Sequence, residues 1–255
     1  MRKILKKIFF WFKKVQRIGF YHYLKYDLKY IFSLNGKRIK ILIGGHQIII
    51  RKGTPDLDVA ISCFDGEFEI LRYLLPKNFS GIIVDAGGYI GTATLALKDI
   101  FPNAKIIVIE PSKENLSILK ENLSNIKDVK IVYGALIGTE EKSIQLNNRD
   151  TGEWGFTIVK VPKDNPNATP LHETPAYRLA DLVNRDEKID LLKLDIEGGE
   201  LSLLNHDLTT MQNIDIVFAE LHDKIIPGCR DKYFEFSSDR ILIKDKGEKY
   251  LSIKK

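Results

Sequence analysis

Acidic residues stand at the ends of three apolar segments of this chain. In the run 82–92, Asp85 closes an apolar stretch and is followed by Gly87 and Gly91, after which a helix is predicted from about Thr92. Glycines in such a turn let a ligand approach the backbone closely. Open α/β sheets bind nucleotide-type ligands at the carboxyl ends of their strands. The run therefore predicts a nucleotide-type site at this turn.

The order of residues in the turn helps to choose the ligand. A dinucleotide site uses G-x-G-x-x-G, whereas this turn has D-x-G-x-x-x-G. The Asp85 carboxylate would repel a phosphate but suits a cation, such as the methionyl ammonium of S-adenosylmethionine. Glu110 ends the next apolar run and can accept hydrogen bonds from both ribose hydroxyls. An acid at one strand end often serves only solubility, but the two together favour S-adenosylmethionine over NAD.

A third acidic cluster, in the run 191–200, begins with Asp195, and the run 215–221 brings Glu220 and His222 to the same rim. An imidazole suits removal of a hydroxyl proton near neutral pH. His222 is therefore a candidate general base. A role limited to hydrogen bonding at the strand end is an equally favoured alternative. The predicted catalytic residues are Asp195, Glu220 and His222. They also offer ligands for Mg²⁺ or Mn²⁺, but no closely spaced ligand motif requires a metal, and none is predicted.

Apolar runs of strand length alternate with helical segments from residue 81 onward. Most of these runs are apolar without alternation, which is typical of parallel strands buried on both faces. The clearest helix spans 112–123, with Ser112 as its cap. The alternation predicts an α/β fold with an open, doubly wound sheet. The predicted strands are 82–84, 106–109, 129–133, 190–194 and 215–221.

The segments around this sheet predict a lead-in region and a closing hairpin. Residues 39–50 predict a hairpin about Gly44-Gly45, and helical stretches are predicted at 57–64 and 67–75. Residues 241–253 predict an antiparallel hairpin at one edge, and the polar residues 147–170 a long loop over the strand ends. The predicted units are a basic N-terminal extension (1–35), a lead-in hairpin with helices (36–80) and a ligand-binding domain (81–255).

The N-terminus carries most of the positive charge. Residues 1–30 contain nine Lys or Arg and one acid, Asp27, in a chain of net charge +5, so the remainder is net acidic. Apolar residues at helical spacing face lysines, a pattern that suits the surface of an anionic membrane. A helix that packs on its own domain is the alternative. A cleaved signal peptide is disfavoured because the apolar stretch is short, and nucleic acid is not a predicted partner.

The composition excludes several classes of protein. A 44% hydrophobic and 29% charged content is that of a globular chain. No apolar run approaches the ~20 residues of a transmembrane helix. Cys63 and Cys229 lie far apart in the sequence and indicate free thiols in a reducing compartment. The expected location is cytoplasmic, with the N-terminus on the inner face of a membrane as a further expectation.

These residues together resemble the FkbM-type methyltransferases, a family of class I S-adenosylmethionine-dependent enzymes. The resemblance covers roughly residues 50–222 in collinear order, and its most specific part is Leu191–Gly198. One departure is Tyr89, at a position where the family commonly has Asn. The matching segments are Gly53–Asp56, Gly66–Glu69, Val84–Gly91, Ile109–Pro111, Asp190–Gly198 and Glu220–His222.

The resemblance implies a mostly parallel seven-stranded sheet and S-adenosylmethionine as the methyl donor. It implies that Asp85, Gly87 and Gly91 hold the methionyl part and that Glu110 binds ribose. It also places Gly134, Ala135 and Leu136 at the adenine and Asp195 near the methyl group. The full set of predicted cofactor-binding residues is Asp85, Ala86, Gly87, Tyr89, Gly91, Glu110, Pro111, Ala135, Leu136 and Asp195.

The expected activity is S-adenosylmethionine-dependent O-methylation of a sugar hydroxyl. The acceptor is expected on a glycan, a glycolipid or a secondary metabolite, as a glycan or small-molecule partner. The alternatives are an NAD-dependent oxidoreductase on a Rossmann sheet and a non-catalytic, membrane-associated binding module. The missing G-x-G-x-x-G disfavours the first, and three acidic clusters at strand ends disfavour the second.

Overall fold

The computed structural model describes Leu34 and residues 36–255 of the chain. The predicted lead-in hairpin is present as β1 (Arg38–Ile43) and β2 (His46–Arg51). Its buried isoleucines, among them Ile41 and Ile48, belong to one apolar cluster with Leu119. The hairpin therefore packs against the domain that follows it.

Helical segments are present at both places where they are predicted after the hairpin. The helix α1 (Asp56–Ser62) continues into a π-helical turn at Cys63–Glu67, and a 3-10 helix follows at Glu69–Tyr73. Gly66 has φ 85° and interrupts the helical path between them. The second segment is thus shorter and more tightly wound than predicted.

The first half of the large sheet alternates strands and helices. It consists of β3 (Ile82–Ala86), α2 (Thr92–Ile100), β4 (Lys105–Glu110), α3 (Lys113–Asn122) and β5 (Val129–Tyr133). The three strands pair in parallel. The Ser112 side chain accepts a hydrogen bond from the Asn115 amide, which confirms Ser112 as the cap of α3.

A second sheet of four strands interrupts the region predicted as a long loop. Its strands are β6 (Ala135–Leu136), β7 (Ser143–Asn148), β8 (Phe156–Thr157) and β9 (Thr169–Tyr177), in the order β6-β9-β7-β8. The prediction of one loop over 147–170 is wrong in part. Pro170 and Pro175 lie within β9, and prolines in a segment disfavour a strand prediction.

The remaining elements complete the large sheet. They are α4 (Leu179–Leu182), β10 (Ile189–Leu194), α5 (Glu200–His206), α6 (Leu208–Gln212), β11 (Ile216–Glu220), α7 (Cys229–Phe236), β12 (Ile241–Lys244) and β13 (Lys249–Ile253). The strand order is β12-β13-β11-β10-β3-β4-β5. Five strands are parallel, and the hairpin β12–β13 closes one edge by antiparallel pairing with β11. The predicted doubly wound, mostly parallel, seven-stranded sheet is confirmed.

Apolar side chains cover both faces of this sheet. Ile83 and Ile106 belong to the cluster that contains Leu97 of α2, whereas Val84 and Leu192 belong to the cluster on the other face. Burial on both faces explains why these strands are apolar without alternation. It also leaves the carboxyl ends of the parallel strands as the place where polar side chains can meet.

The basic extension at residues 1–35 lies almost wholly outside the described residues. Its predicted membrane contact therefore stays a prediction from sequence. Within the described part of the chain, no helix has the length and apolar character needed to cross a membrane.

Candidate functional site

A cavity of about 820 Å³ opens at the carboxyl ends of β3, β4, β10 and β11. This volume is in the range of small-molecule sites in proteins. The turn after β3 forms one wall and the segment after β10 another. The sequence-predicted residues that line it are Gly87, Tyr89, Glu110, Pro111, Ala135, Leu136, Asp195, Glu220 and His222.

The turn after β3 is packed tightly against the segment after β10. Gly87 has φ 82°, and a Cβ on it would lie 1.8 Å from the Asp195 carbonyl oxygen. Its amide donates to the Ile109 carbonyl oxygen at 3.1 Å. Gly91 has φ 86° but faces Leu123 of the helix layer and not the cavity. Glycine is therefore required at 87 by a close backbone approach and at 91 by conformation and packing.

Asp85 is fully buried beneath this turn and is not part of the cavity wall. Its carboxylate accepts a hydrogen bond from the Thr94 hydroxyl at 2.7 Å, and the Lys193 ammonium lies 3.3 Å from its Oδ1. Ala86 is equally buried. The geometry does not support the expected direct contact between Asp85 and the methionyl ammonium, because Lys193 occupies the place of the cation.

Lys193 joins the acidic side chains to the turn. Its ammonium donates to the Gly87 carbonyl oxygen at 2.9 Å and lies 3.6 Å from Asp195 Oδ2. Burial disfavours its charge, but the carboxylates of Asp85 and Asp195 outweigh burial and raise the pKa of Lys193 above its usual value. The side chain is thus a fixed internal cation behind the cavity wall.

Glu110 is buried at the end of β4, and its carboxylate faces the cavity. It accepts hydrogen bonds from the Tyr89 amide at 2.8 Å, the Ser112 amide at 2.9 Å and the Asn115 side chain at 3.3 Å. Burial raises the pKa of Glu110 to about 7, although these donors oppose the rise. A carboxylate so held can accept further hydrogen bonds from ribose hydroxyls.

Tyr89 connects the turn to the lead-in region. It adopts a left-handed backbone conformation with φ 49°. Its hydroxyl donates to the Asp56 carboxylate, which also accepts two hydrogen bonds from the Arg51 guanidinium at 3.0 and 2.8 Å. The buried Arg51–Asp56–Tyr89 network therefore links the turn to the hairpin.

Pro111, Ala135 and Leu136 line the part of the cavity beyond Glu110. The Pro111 carbonyl oxygen accepts a hydrogen bond from the Thr174 hydroxyl at 3.3 Å, which ties the β4 end to β9. Trp154 lies on this side as well, since the neighbouring Glu153 carbonyl accepts from Asn115. These mostly apolar surfaces fit the adenine ring.

His222 stands at the other end of the cavity among three carboxylates. Its Nδ1 lies 2.9 Å from Glu200 Oε1, and its Nε2 lies 3.7 Å from both Asp195 Oδ1 and Glu197 Oε1. Burial lowers the pKa of His222, but these carboxylates, Glu200 first, raise it to about 10. The structure therefore joins Asp195 and His222 as predicted, and adds Glu197 and Glu200.

Arg149 and Lys249 hold the outer side of this acidic group. Arg149 is buried and pairs with Glu197 and Asp164, and it donates to the Gly155 carbonyl oxygen at 2.8 Å. Lys249 lies 3.5 Å from Glu220 Oε2. Segments far apart in sequence thus meet around the carboxylates.

The family model for the FkbM methyltransferase domain matches residues 85–239. This match covers more than half of the chain. The chain belongs to the FkbM methyltransferase family. It is accordingly an S-adenosylmethionine-dependent methyltransferase with a class I α/β fold, as the resemblance implied.

Two curated proteins are similar in sequence to this FkbM methyltransferase. Methyltransferase 1 of Beauveria bassiana is 27% identical over 191 residues, which is 68% of this chain and 74% of the relative. Methyltransferase sdnD of Sordaria araneosa is 28% identical over 213 residues, 65% of this chain and 77% of the relative. Among solved structures, M. jannaschii TYW2 in complex with AdoMet has 12% identity and a TM-score of 0.43, covering 87% of this chain and 85% of that one.

The cavity of this FkbM methyltransferase fits S-adenosylmethionine. Glu110 offers a buried carboxylate at the middle of the cavity, and apolar residues continue beyond it. At the other end the lining is acidic, which suits the positive charge of the sulfonium. This fit rests on the side chains that line the cavity and not only on the sequence of the turn after β3.

Sequence reasoning missed Lys193, Arg149 and the pairing role of Glu200. Lys193 interrupts the apolar run 191–194, and a lysine inside a buried strand signals a partner carboxylate. Arg149 lies in a polar region and carries no comparable signal. Its contacts depend on the fold of β7 and β8, which the sequence did not predict.

Proposed function

We propose that this FkbM methyltransferase methylates a hydroxyl oxygen of a sugar-containing acceptor. The observation that carries the proposal is that Asp195, Glu220 and His222 all line the cavity beside the Gly87 turn, with His222 Nε2 3.7 Å from Asp195 Oδ1. Carboxylates and an imidazole are the side chains that hold and deprotonate hydroxyls. The acceptor is a glycan, a glycolipid or a secondary metabolite.

The cofactor would be held along the wall formed by the ends of β3, β4 and β5. Glu110 accepts the ribose hydroxyls, Pro111, Ala135 and Leu136 enclose the adenine, and the Gly87 turn lies along the methionyl part. Tyr89 ties this turn to Asp56 of the lead-in region. We assign Asp85, Ala86 and Gly91 an indirect role, because their positions support the turn from behind.

The acceptor end supplies orientation and removal of a proton. Bound S-adenosylmethionine supplies a methyl group whose bond to sulfur breaks with its electron pair left on sulfur. Asp195 and His222 orient the acceptor hydroxyl toward that methyl, which accounts for ~7–11 kcal/mol of the barrier in well-aligned reactions. The hydroxyl proton passes to the carboxylate of Glu220, whose pKa burial raises above its usual value, a contribution of typically ~10²–10⁴-fold.

The acidic lining favours a polyhydroxylated acceptor over nucleic acid. Glu67, Glu220 and Glu248 line the same end of the cavity, together with Lys224 and Lys249. Carboxylates accept hydrogen bonds from several hydroxyls at once, whereas they repel the phosphates of RNA or DNA.

The test is transfer of a labelled methyl group from S-adenosylmethionine to fractionated cell-surface glycans and small glycosides. Acid hydrolysis and mass spectrometry of the product should give an O-methyl sugar. Asp195→Asn should abolish transfer, and NAD should show no binding by calorimetry. Label recovered only in RNA or protein, or no S-adenosylmethionine binding, would refute the proposal.

A further inference from the structure

Three side chains from two loops at the acceptor end converge on one point. The ligand-type atoms of Asp195, Glu197 and His222 lie within 4.8 Å of one another. Two of these separations, from His222 Nε2 to each carboxylate oxygen, are 3.7 Å. We propose that Asp195, Glu197 and His222 bind a divalent cation of the Mg²⁺ or Mn²⁺ type.

The orientation of His222 is the first argument. His222 is 8% exposed, and its Nδ1 is held at 2.9 Å by Glu200, which is itself fully buried. Its Nε2 points to the two carboxylate oxygens at 3.7 Å, a distance too long for a hydrogen bond. A histidine that is fixed through one nitrogen by a carboxylate and presents the other is the usual arrangement of a metal ligand.

The two carboxylates are held in the same way. Asp195 Oδ2 lies 3.6 Å from the Lys193 ammonium, and Glu197 Oε2 pairs with the Arg149 guanidinium. Lys193 and Arg149 thus each pair with one oxygen of a carboxylate. The other oxygens, Asp195 Oδ1 and Glu197 Oε1, remain directed at His222. Each of the three proposed ligands is therefore oriented by a second side chain, as the ligands of protein metal sites commonly are.

The donor set determines the class of cation. Two carboxylate oxygens and one imidazole suit Mg²⁺ and Mn²⁺, which prefer octahedral coordination with hard ligands. A cation at about 2.1 Å from each ligand atom permits ligand separations up to about 4.2 Å. The two separations from His222 Nε2, 3.7 Å each, fall below this limit, and the two carboxylate oxygens lie within 4.8 Å of each other. Three ligands leave positions for water and for the acceptor oxygen.

The consequence for catalysis rests on the proposed function. A divalent cation beside the Gly87 turn would hold the acceptor hydroxyl oxygen and lower the pKa of that hydroxyl. Glu197, and not the sequence-predicted Glu220, meets Asp195 and His222 in the described part of the chain.

Manganese provides a direct test that needs neither cofactor nor acceptor. The full chain, stripped with EDTA and desalted, is titrated with Mn²⁺, and free Mn²⁺ is followed by electron paramagnetic resonance. We expect one saturable Mn²⁺ per chain, and pulsed measurements should show the nitrogen of one coordinated imidazole. No saturable binding up to about 1 mM Mn²⁺, the weak end of protein sites for hard cations, or bound Mn²⁺ without imidazole nitrogen, overturns the proposal.

Variants locate the site. Asp195→Asn, Glu197→Gln and His222→Gln should each weaken Mn²⁺ binding at least tenfold, and Glu200→Gln about 10–100-fold. The matched control is Asp99→Asn, which removes the carboxylate of another histidine pair, Asp99–His46 at 2.9 Å, and should leave binding unchanged. Equal effects of the control and the ligand variants would show non-specific binding and overturn the proposal.

Two further measurements separate this proposal from the proposed function. S-adenosylmethionine binding in EDTA, followed by calorimetry, should be retained, and bound S-adenosylmethionine should not displace Mn²⁺. Displacement would mean that the carboxylates receive the methionyl ammonium instead of a metal. Cofactor binding without Mn²⁺ binding would overturn only the metal site, whereas Mn²⁺ binding without cofactor binding would overturn only the methyl-transfer proposal.

Discussion

Lys193 and Asp85 face each other across β10 and β3, with the ammonium 3.3 Å from the Asp85 Oδ1. Both side chains are buried, and Lys193 also donates to the Gly87 carbonyl oxygen. The pair therefore supports the cofactor turn from beneath. Its effect on function is indirect, through the position of a backbone segment.

Lys193→Met should destabilise the protein and weaken the cofactor site together. Removing one partner of a buried ion pair leaves an unpaired buried charge, which costs about 3–5 kcal/mol. We expect the free energy of unfolding in urea to fall by this amount and S-adenosylmethionine affinity to fall at least tenfold.

The double variant Asp85→Asn/Lys193→Met provides the control for this interpretation. It removes both charges, so it should be more stable than the sum of the single variants implies. Additive losses would show that the two side chains act independently.

Gly87→Ala should disrupt the turn by a steric contact. Its Cβ would lie 1.8 Å from the Asp195 carbonyl oxygen, so β3 and β10 would have to separate at the cavity. We expect at least a tenfold loss of S-adenosylmethionine affinity by calorimetry. The matched control is Gly247→Ala, where φ is also positive but no atom lies within 4 Å. The control should cost only about 1–2 kcal/mol of stability and leave affinity unchanged, and an equal loss of affinity would contradict the steric argument.

Local sequence signals were sufficient to predict the parallel strands of the sheet and the position of one site residue, Glu110. The five parallel strands are apolar runs, and burial on both faces makes such runs easy to recognise. Glu110 follows one of these runs directly, so its position at the strand end, on the cavity wall, was predictable.

The remaining site residues depend on pairings between distant segments. Asp85 also ends an apolar run, but the register of β3 against β10 places Lys193 opposite it and turns it away from the cavity. Glu197 is aligned by Arg149, which lies between β7 and β8. The strands of this region were not predicted, because it is rich in proline and polar residues. Such contacts are set by tertiary structure, which a local pattern does not encode.

Cofactor affinity should depend on pH through Glu110. Burial raises the pKa of Glu110 to about 7, so the carboxylate becomes neutral as pH falls below that value. The neutral form loses its attraction for the sulfonium and one acceptor for the ribose hydroxyls. We expect the Kd of S-adenosylmethionine to rise roughly tenfold per pH unit below 7, approaching the limit for one proton. Calorimetry between about pH 5.5 and 8.5 measures this.

Glu110→Gln identifies the group responsible. The variant keeps the size of the side chain but does not ionise, so it should bind weakly at all pH values with a flat profile. A pH dependence that persists in the variant would assign the effect to another residue.

Tyr89→Phe should report on the link between the hairpin and the turn. The change removes the hydroxyl that donates to Asp56 and leaves the Arg51–Asp56 pair in place. Loss of a buried hydrogen bond costs about 1–3 kcal/mol, so we expect a corresponding fall in unfolding free energy. Because the Tyr89 amide still donates to Glu110, cofactor affinity should change less than tenfold. A larger loss of affinity would mean that the hydroxyl shapes the site directly.

The basic N-terminal extension predicts reversible contact with anionic membranes. Residues 1–30 carry nine Lys or Arg and one acid, and each basic residue near such a surface contributes about 1 kcal/mol. The full chain should therefore sediment with liposomes that contain anionic lipid but not with neutral ones, and less so as salt is raised. Removal of residues 1–16 should abolish sedimentation. Salt screens the exposed charges of the extension. Binding that persists at high salt and after truncation would therefore show that the folded domain, and not the extension, contacts the membrane.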